Sequence, residues 1–224
     1  MAPPLNVAFW SRLNAGQQDD ETVYVDALQA SDSPLERAKS LWDWKDLSRG
    51  VDVDAVADAV SASELHELAE RLPDAAVATL AERLVEGSAL ANETVVTPAF
   101  LLHLTASGPD EYSTRFPLFD VRCWVAFVYL AGRRTRDESL PGSATQSARR
   151  FGEFSEFFQG TIPDGVPGRM YEQALFRFGA YISALPRKTI RAIDEHLTEL
   201  EAAVCESYED DGYALVQSRP DRDE

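Results

Sequence analysis

Residues 94–134 read TVVTPAFLLHLTASGPDEYSTRFPLFDVRCWVAFVYLAGRR, two apolar stretches either side of a polar turn. Thr97 is placed to N-cap a helix with Pro98 at its first position, where a missing N–H costs nothing. Residues 99–106 then run apolar until Ser107, Gly108 and Pro109 stop them. After the polar linker DEYSTR a second apolar approach, Phe116, Pro117, Leu118 and Phe119, delivers Asp120 to the N-cap position of a helix predicted over 121–131, which Gly132 ends. The expectation is a buried helical hairpin with one carboxylate at its mouth.

Upstream, Ser33, Pro34 and Glu36 open a helix over 34–47, with Leu35, Ala38, Leu41 or Trp42, and Leu47 on one side and Trp44 and Lys45 near its end. Residues 53–87 read as two or three short acidic helices starting at Asp54, Ser63 and Asp74. Residues 7–13 form an apolar foot, and residues 23–25 suit either a short strand or the opening of a helix. Downstream, Ser143 or Thr145 opens a helix through Gln159 whose Phe151, Phe154, Phe157 and Phe158 lie at helical spacing. Such a stripe is far more often core than a base-stacking platform. Two long helices, 170–185 and 188–208, are separated at Pro186, the second strongly amphipathic. The fold expected is all-α: a partly flexible segment 1–33, one helical domain over 34–208 built round the hairpin, and an acidic tail over 209–224, disordered at its end.

With 45% hydrophobic and 26% charged residues in 224, the composition is that of a globular protein. No apolar run reaches membrane-spanning length and no signal-peptide pattern opens the chain, so the cytoplasm is the default and no membrane partner is expected. Cys123 and Cys205 read as free thiols; neither a metal-ligand cluster nor a cofactor-binding glycine loop is present, so no metal and no cofactor are expected. A net charge of −17 opposes phosphate binding in general. Yet the acidity is spread along the chain and lysine is confined to positions 39, 45 and 188, which resembles a salt-adapted proteome of haloarchaeal type. In that setting local arginine clusters matter more than the total, and they occur at Arg133, Arg134 and Arg136 and at Arg149 and Arg150.

The order of helix, turn, Phe-Pro-apolar-apolar-Asp-x-Arg and apolar helix resembles the helix-hairpin-helix DNA glycosylase superfamily. More closely, Leu102-His103-Leu104, Pro109-Asp110, Phe116-Pro117-Leu118 and Asp120-Val121-Arg122, with Trp44-Lys45 and Arg49 upstream, resemble a group of microbial proteins related to the 8-oxoguanine glycosylase fold. The resemblance covers residues 42–134, under half the chain. It implies a DNA partner and hydrolysis of the N-glycosidic bond of a flipped base. Asp120 is then the catalytic carboxylate, stabilising the cationic sugar or activating water, and Lys45 assists. Arg49, Arg122 and the helix start at Thr97 contact the nucleic-acid backbone, and Trp44 and His103 complete the binding set. The sequence departs from the family where its lyases carry a Gly-x-Gly turn and a lysine: Val95, Val96, Thr97 and Pro98 replace the glycines, and Phe100, Leu101 and Leu102 surround the lysine's place. What remains is a monofunctional enzyme using water.

Each of these residues also has a structural reading. Asp120 as a plain N-cap contributes about 0.5–2 kcal/mol. His103 between two leucines suits a satisfied, partly buried side chain as well as a phosphate or Asp120 contact. Arg122 could pair with a carboxylate or reach a phosphate, and Trp44 and Lys45 could be an edge aromatic and a solvated charge. The alternative function is therefore a catalytically inactive module of the same fold that binds nucleic acid or a protein.

Overall fold

The structure, a computed structural model, describes residues 4–13, 18–48, 50–108, 111–208 and 214–216. Among these residues it is all-helical, with eleven α-helices, no strand, and one isolated bridge between Ser139 and Thr189. The helices are α1 (Val7–Arg12), α2 (Gln18–Ala30), α3 (Pro34–Leu41), α4 (Val53–Ala59), α5 (Ala62–Ala69), α6 (Pro73–Glu86), α7 (Val96–Ala106), α8 (Val121–Leu130), α9 (Ala148–Thr161), α10 (Gly168–Ala184) and α11 (Ile190–Tyr208). Contacts gather the chain into two compact units. Unit 1 comprises Met1–Ala15, Asp120–Ala144 and Gly160–Glu224; unit 2 comprises Gly16–Phe119 and Thr145–Gln159.

Unit 2 is built on α7. Its residues 97–104 are all buried, as an apolar surface on every side of a helix requires, and it packs on α3, α5 and α6. Phe151, Phe154 and Phe158 of α9 are fully buried, Phe151 and Phe154 packing on Phe119. The central polar feature is Arg37 on α3, only 5% exposed. Its Nε donates to the Ser31 carbonyl (2.6 Å), Nη1 to Leu104 (2.9 Å) and Ser107 (2.7 Å), and Nη2 to Leu28 (3.2 Å). Leu28 and Leu104 lie in the last turns of α2 and α7, whose carbonyls have no partner within their own helices and form the negative ends of the helix dipoles. One cation thus bonds a carbonyl at each of two helix ends.

Unit 1 is built on α8 and α10, with α1 packed on α10. The backbones of α8 and α10 approach so closely that a Cβ on Gly179 would run into the Arg122 carbonyl oxygen, so only glycine fits there. Trp10 of α1 packs edge-on against Phe178 and beside Tyr181, and Tyr129 of α8 donates to Asp194 of α11 at 2.5 Å.

Several boundaries differ from the sequence reading, each for a local reason. Residues 23–25 lie inside α2. The helix expected over 34–47 ends at Leu41, followed by a turn in which Asp46 takes φ 59° while Leu47 N–H bonds the Trp42 carbonyl and Asp46 N–H that of Asp43, a Schellman closure. Ser61, not Ser63, caps α5, because Glu64 stands three residues on and completes a capping box. Asp52 caps α4, and α6 starts at Pro73. Thr97 does not cap α7; the N-cap position falls on Val95 and the helix starts at Val96. Helix α9 begins at Ala148, not at Ser143 or Thr145. Asp120 caps α8, and Gly132 at φ 64° follows its end, as the sequence predicts.

Replacing Arg37 with Met leaves buried carbonyls of two helix ends without donors. Urea unfolding of the full chain is expected to show a loss of about 3–5 kcal/mol, with Arg37→Lys recovering only part of it because an ammonium lacks the planar fork.

Candidate functional site

Asp120 is positioned by the start of α8. Its extended backbone turns the carboxylate back over the helix, where Oδ1 accepts from the amides of Arg122 (2.8 Å) and Cys123 (2.9 Å). Oδ2 faces Nη1 of Arg122 at 3.7 Å, with the Asp120 side chain 19% and the Arg122 side chain 50% exposed. The Arg122 guanidinium also lies over the ring of Phe176 on α10, 4.7 Å from its centroid. Just inside, the Cys123 thiol donates to Glu172 Oε1 at 3.9 Å, and Glu172, itself buried, pairs with Arg169. The first turn of α8 therefore carries one solvent-reachable carboxylate in a fixed orientation, with a cation beside it.

The other sequence-predicted residues belong to unit 2. Trp44 and Lys45 lie in the turn after α3, both half-buried; the Trp44 ring packs on Tyr24, 5.7 Å between centroids, and Lys45 makes no ion pair among the described residues. Arg49 lies outside the described residues. Thr97 is buried at 2% exposure and His103 completely. His103 Nδ1 lies 2.7 Å from the Phe116 carbonyl, which can only accept, so Nδ1 carries the proton; Nε2 of the neutral ring then accepts from the Tyr24 hydroxyl at 2.7 Å.

His103 belongs to a set of bonds that pins the segment leading to Phe119. Ser107 Oγ accepts from Ser113 N–H (3.0 Å), Ser113 Oγ from Phe116 N–H (3.1 Å), and Tyr112 Oη from Leu118 N–H (2.8 Å). Sequence reasoning missed Tyr24, whose partner stands 79 residues away, and Tyr112 and Ser113, which bond within a non-helical turn whose path no periodicity signals. The one available signal was the apolar surroundings of His103, which demand that both ring nitrogens find partners in the interior.

The arginine clusters are partly engaged. Arg133 lies over Phe127, and Arg134 pairs with Glu138, whose carboxyl is pulled down to about 2 by the Thr135 amide first, then by Arg134 and the Thr135 hydroxyl. In unit 2 a surface pocket of about 290 Å³ is lined by His66, Glu70, Glu111, Tyr112 and Arg115 among others. In unit 1 one of about 230 Å³ is lined by Arg187, Glu195, His196 and Glu199 among others. None of the described residues singled out from the sequence lines either pocket. Among the described residues no group of three His, Cys, Asp or Glu side chains could hold a metal ion, and no helix is long and apolar enough to cross a membrane. Comparison with protein-family models, curated proteins and solved structures gives no match.

The cap geometry separates shape from charge at Asp120. Asparagine keeps an oxygen for the two amides, so Asp120→Asn is expected to unfold within about 0.5 kcal/mol of the parent, whereas Asp120→Ala loses about 1 kcal/mol or more; thermal and urea unfolding measure both.

Proposed function

We propose that this protein processes bases in nucleic acid, hydrolysing the N-glycosidic bond of an extruded nucleotide with Asp120 as its carboxylate. The observation that carries this reading is the posture of Asp120: one oxygen is fixed by two amides of α8, and the other is directed at Arg122 in a partly exposed position. A carboxylate oriented before the substrate arrives is what stabilisation of a cationic sugar, or activation of water, requires. Arg122, half-exposed beside it, has the planar fork that suits a phosphate. With no lysine in the hairpin position, water is the nucleophile and the product is an abasic site with its strand intact.

A second reading has its own support. The cap and the Arg122 pair account for both carboxylate oxygens, and His103 and Thr97 are buried, which suits a module that binds nucleic acid or a protein without chemistry. Single-turnover assays on duplexes carrying oxidised, alkylated or deaminated bases separate the two. The first reading predicts alkali-labile sites in at least one duplex, no strand scission without alkali, and a rate lowered by about 10²–10⁴ in Asp120→Asn with the fold retained. Equal rates for parent and variant would remove Asp120 from the chemistry, and no excision from any duplex would leave the second reading.

A further inference from the structure

Within unit 1, residues 214–216 are held by side chains of two other segments of the chain. Leu215 is completely buried and Val216 nearly so. The carbonyl of Leu215 accepts from the backbone N–H of Asn6 (3.1 Å) and from the Trp10 indole N–H (3.0 Å), and that of Ala214 accepts from Asn6 Nδ2 (3.2 Å). On the other side Glu201 Oε1 accepts from the amides of Leu215 (3.1 Å) and Val216 (3.0 Å). Here an amide, an indole and a carboxylate, from the start of α1 and from α11, read the main chain of a short non-helical segment while one leucine fills an apolar hole. Main-chain bonds for affinity and a side-chain pocket for specificity are how proteins hold extended peptides. Asn6 ties this to the fold, because its Oδ1 also caps α1 by accepting from Phe9 N–H at 3.0 Å.

We propose that Asn6, Trp10 and Glu201 form a peptide-binding site whose occupant is the chain's own Ala214-Leu215-Val216, a detachable intramolecular ligand and not a fixed part of the core. The class of ligand is a non-helical peptide carrying a small residue followed by two aliphatic ones. Tethered after α11, the segment competes at an effective concentration of roughly millimolar order, so the site opens to another peptide only when the tail leaves. The inference stands independently of the base-processing reading.

Hydrogen exchange on the unaltered protein tests detachability. The Leu215 and Val216 amides are expected to exchange through local opening at least about tenfold faster than those of Phe127 and Val128 in α8. Equal protection would show that the segment opens only with the whole unit and would overturn the proposal. Recognition is tested in the full chain with Leu215→Asp, which empties the site, and a fluorescent peptide of the sequence DGYALVQS. The variant is expected to bind it about tenfold or more tightly than the parent does, and adding Glu201→Ala is expected to weaken that binding about tenfold through loss of an acceptor for two amides. A folded Leu215→Asp chain that takes up no peptide, or one that cannot fold at all, would overturn the proposal.

Discussion

A single buried guanidinium ties the two helix ends of unit 2 together. Removing a charge from water costs several kcal/mol unless hydrogen bonds replace its hydration, and Arg37 is repaid by four carbonyls, those of Leu28, Ser31, Leu104 and Ser107. Because Leu28 and Leu104 belong to helix C-termini, the same contacts place positive charge where two dipoles are negative. The consequence passes along the chain. With Ser107 fixed by its carbonyl, its hydroxyl receives Ser113, Ser113 receives Phe116, and His103 holds the Phe116 carbonyl, so the segment up to Phe119 has a defined path. His103 in this arrangement positions the Phe116 carbonyl.

In unit 1 the corresponding constraint is steric. Gly179 lets α10 lie against the Arg122 carbonyl, and the same first turn of α8 presents Asp120 outward. Arg122 has its backbone pressed on one helix and its side chain stretched over Phe176 of that helix and beside Asp120. Packing and charge therefore meet at one turn. Orientation of the carboxylate is a by-product of capping, and a structural cap and a catalytic carboxylate share this geometry without conflict.

What could be read from the sequence follows the range of the interaction. Helices α6, α8, α10 and α11 were legible because amphipathic or apolar runs bounded by Pro and Gly are local signals, and Asp120 was legible as a cap because its partners lie two and three residues on. Arg37 was not, since its carbonyl partners at 104 and 107 stand far away in sequence and an arginine among charged neighbours reads as a solvated face. The same distance hid the pairing of Tyr24 with His103. The two apolar helices of the expected hairpin were each found, but their packing partners, α3, α5 and α6 for α7 and α10 for α8, are set by tertiary contacts that periodicity does not encode. In the stretch read as a tail, three residues dock because Leu215 can bury itself and Glu201 can meet its amide, a pairing that a charge-rich composition conceals.

At the start of α8 a carboxylate stands beside a cation in an otherwise acidic chain of net charge −17. The most direct measurement is equilibrium binding of the purified protein to a fluorescent duplex containing an abasic-site analogue, against an undamaged control, in high potassium salt and again at lower salt within the folded range. Tighter binding to the abasic analogue is expected, strengthened as salt falls because phosphates are contacted, with a preference that disappears in Asp120 variants. Absence of binding to either duplex at both salt concentrations would contradict the base-processing reading.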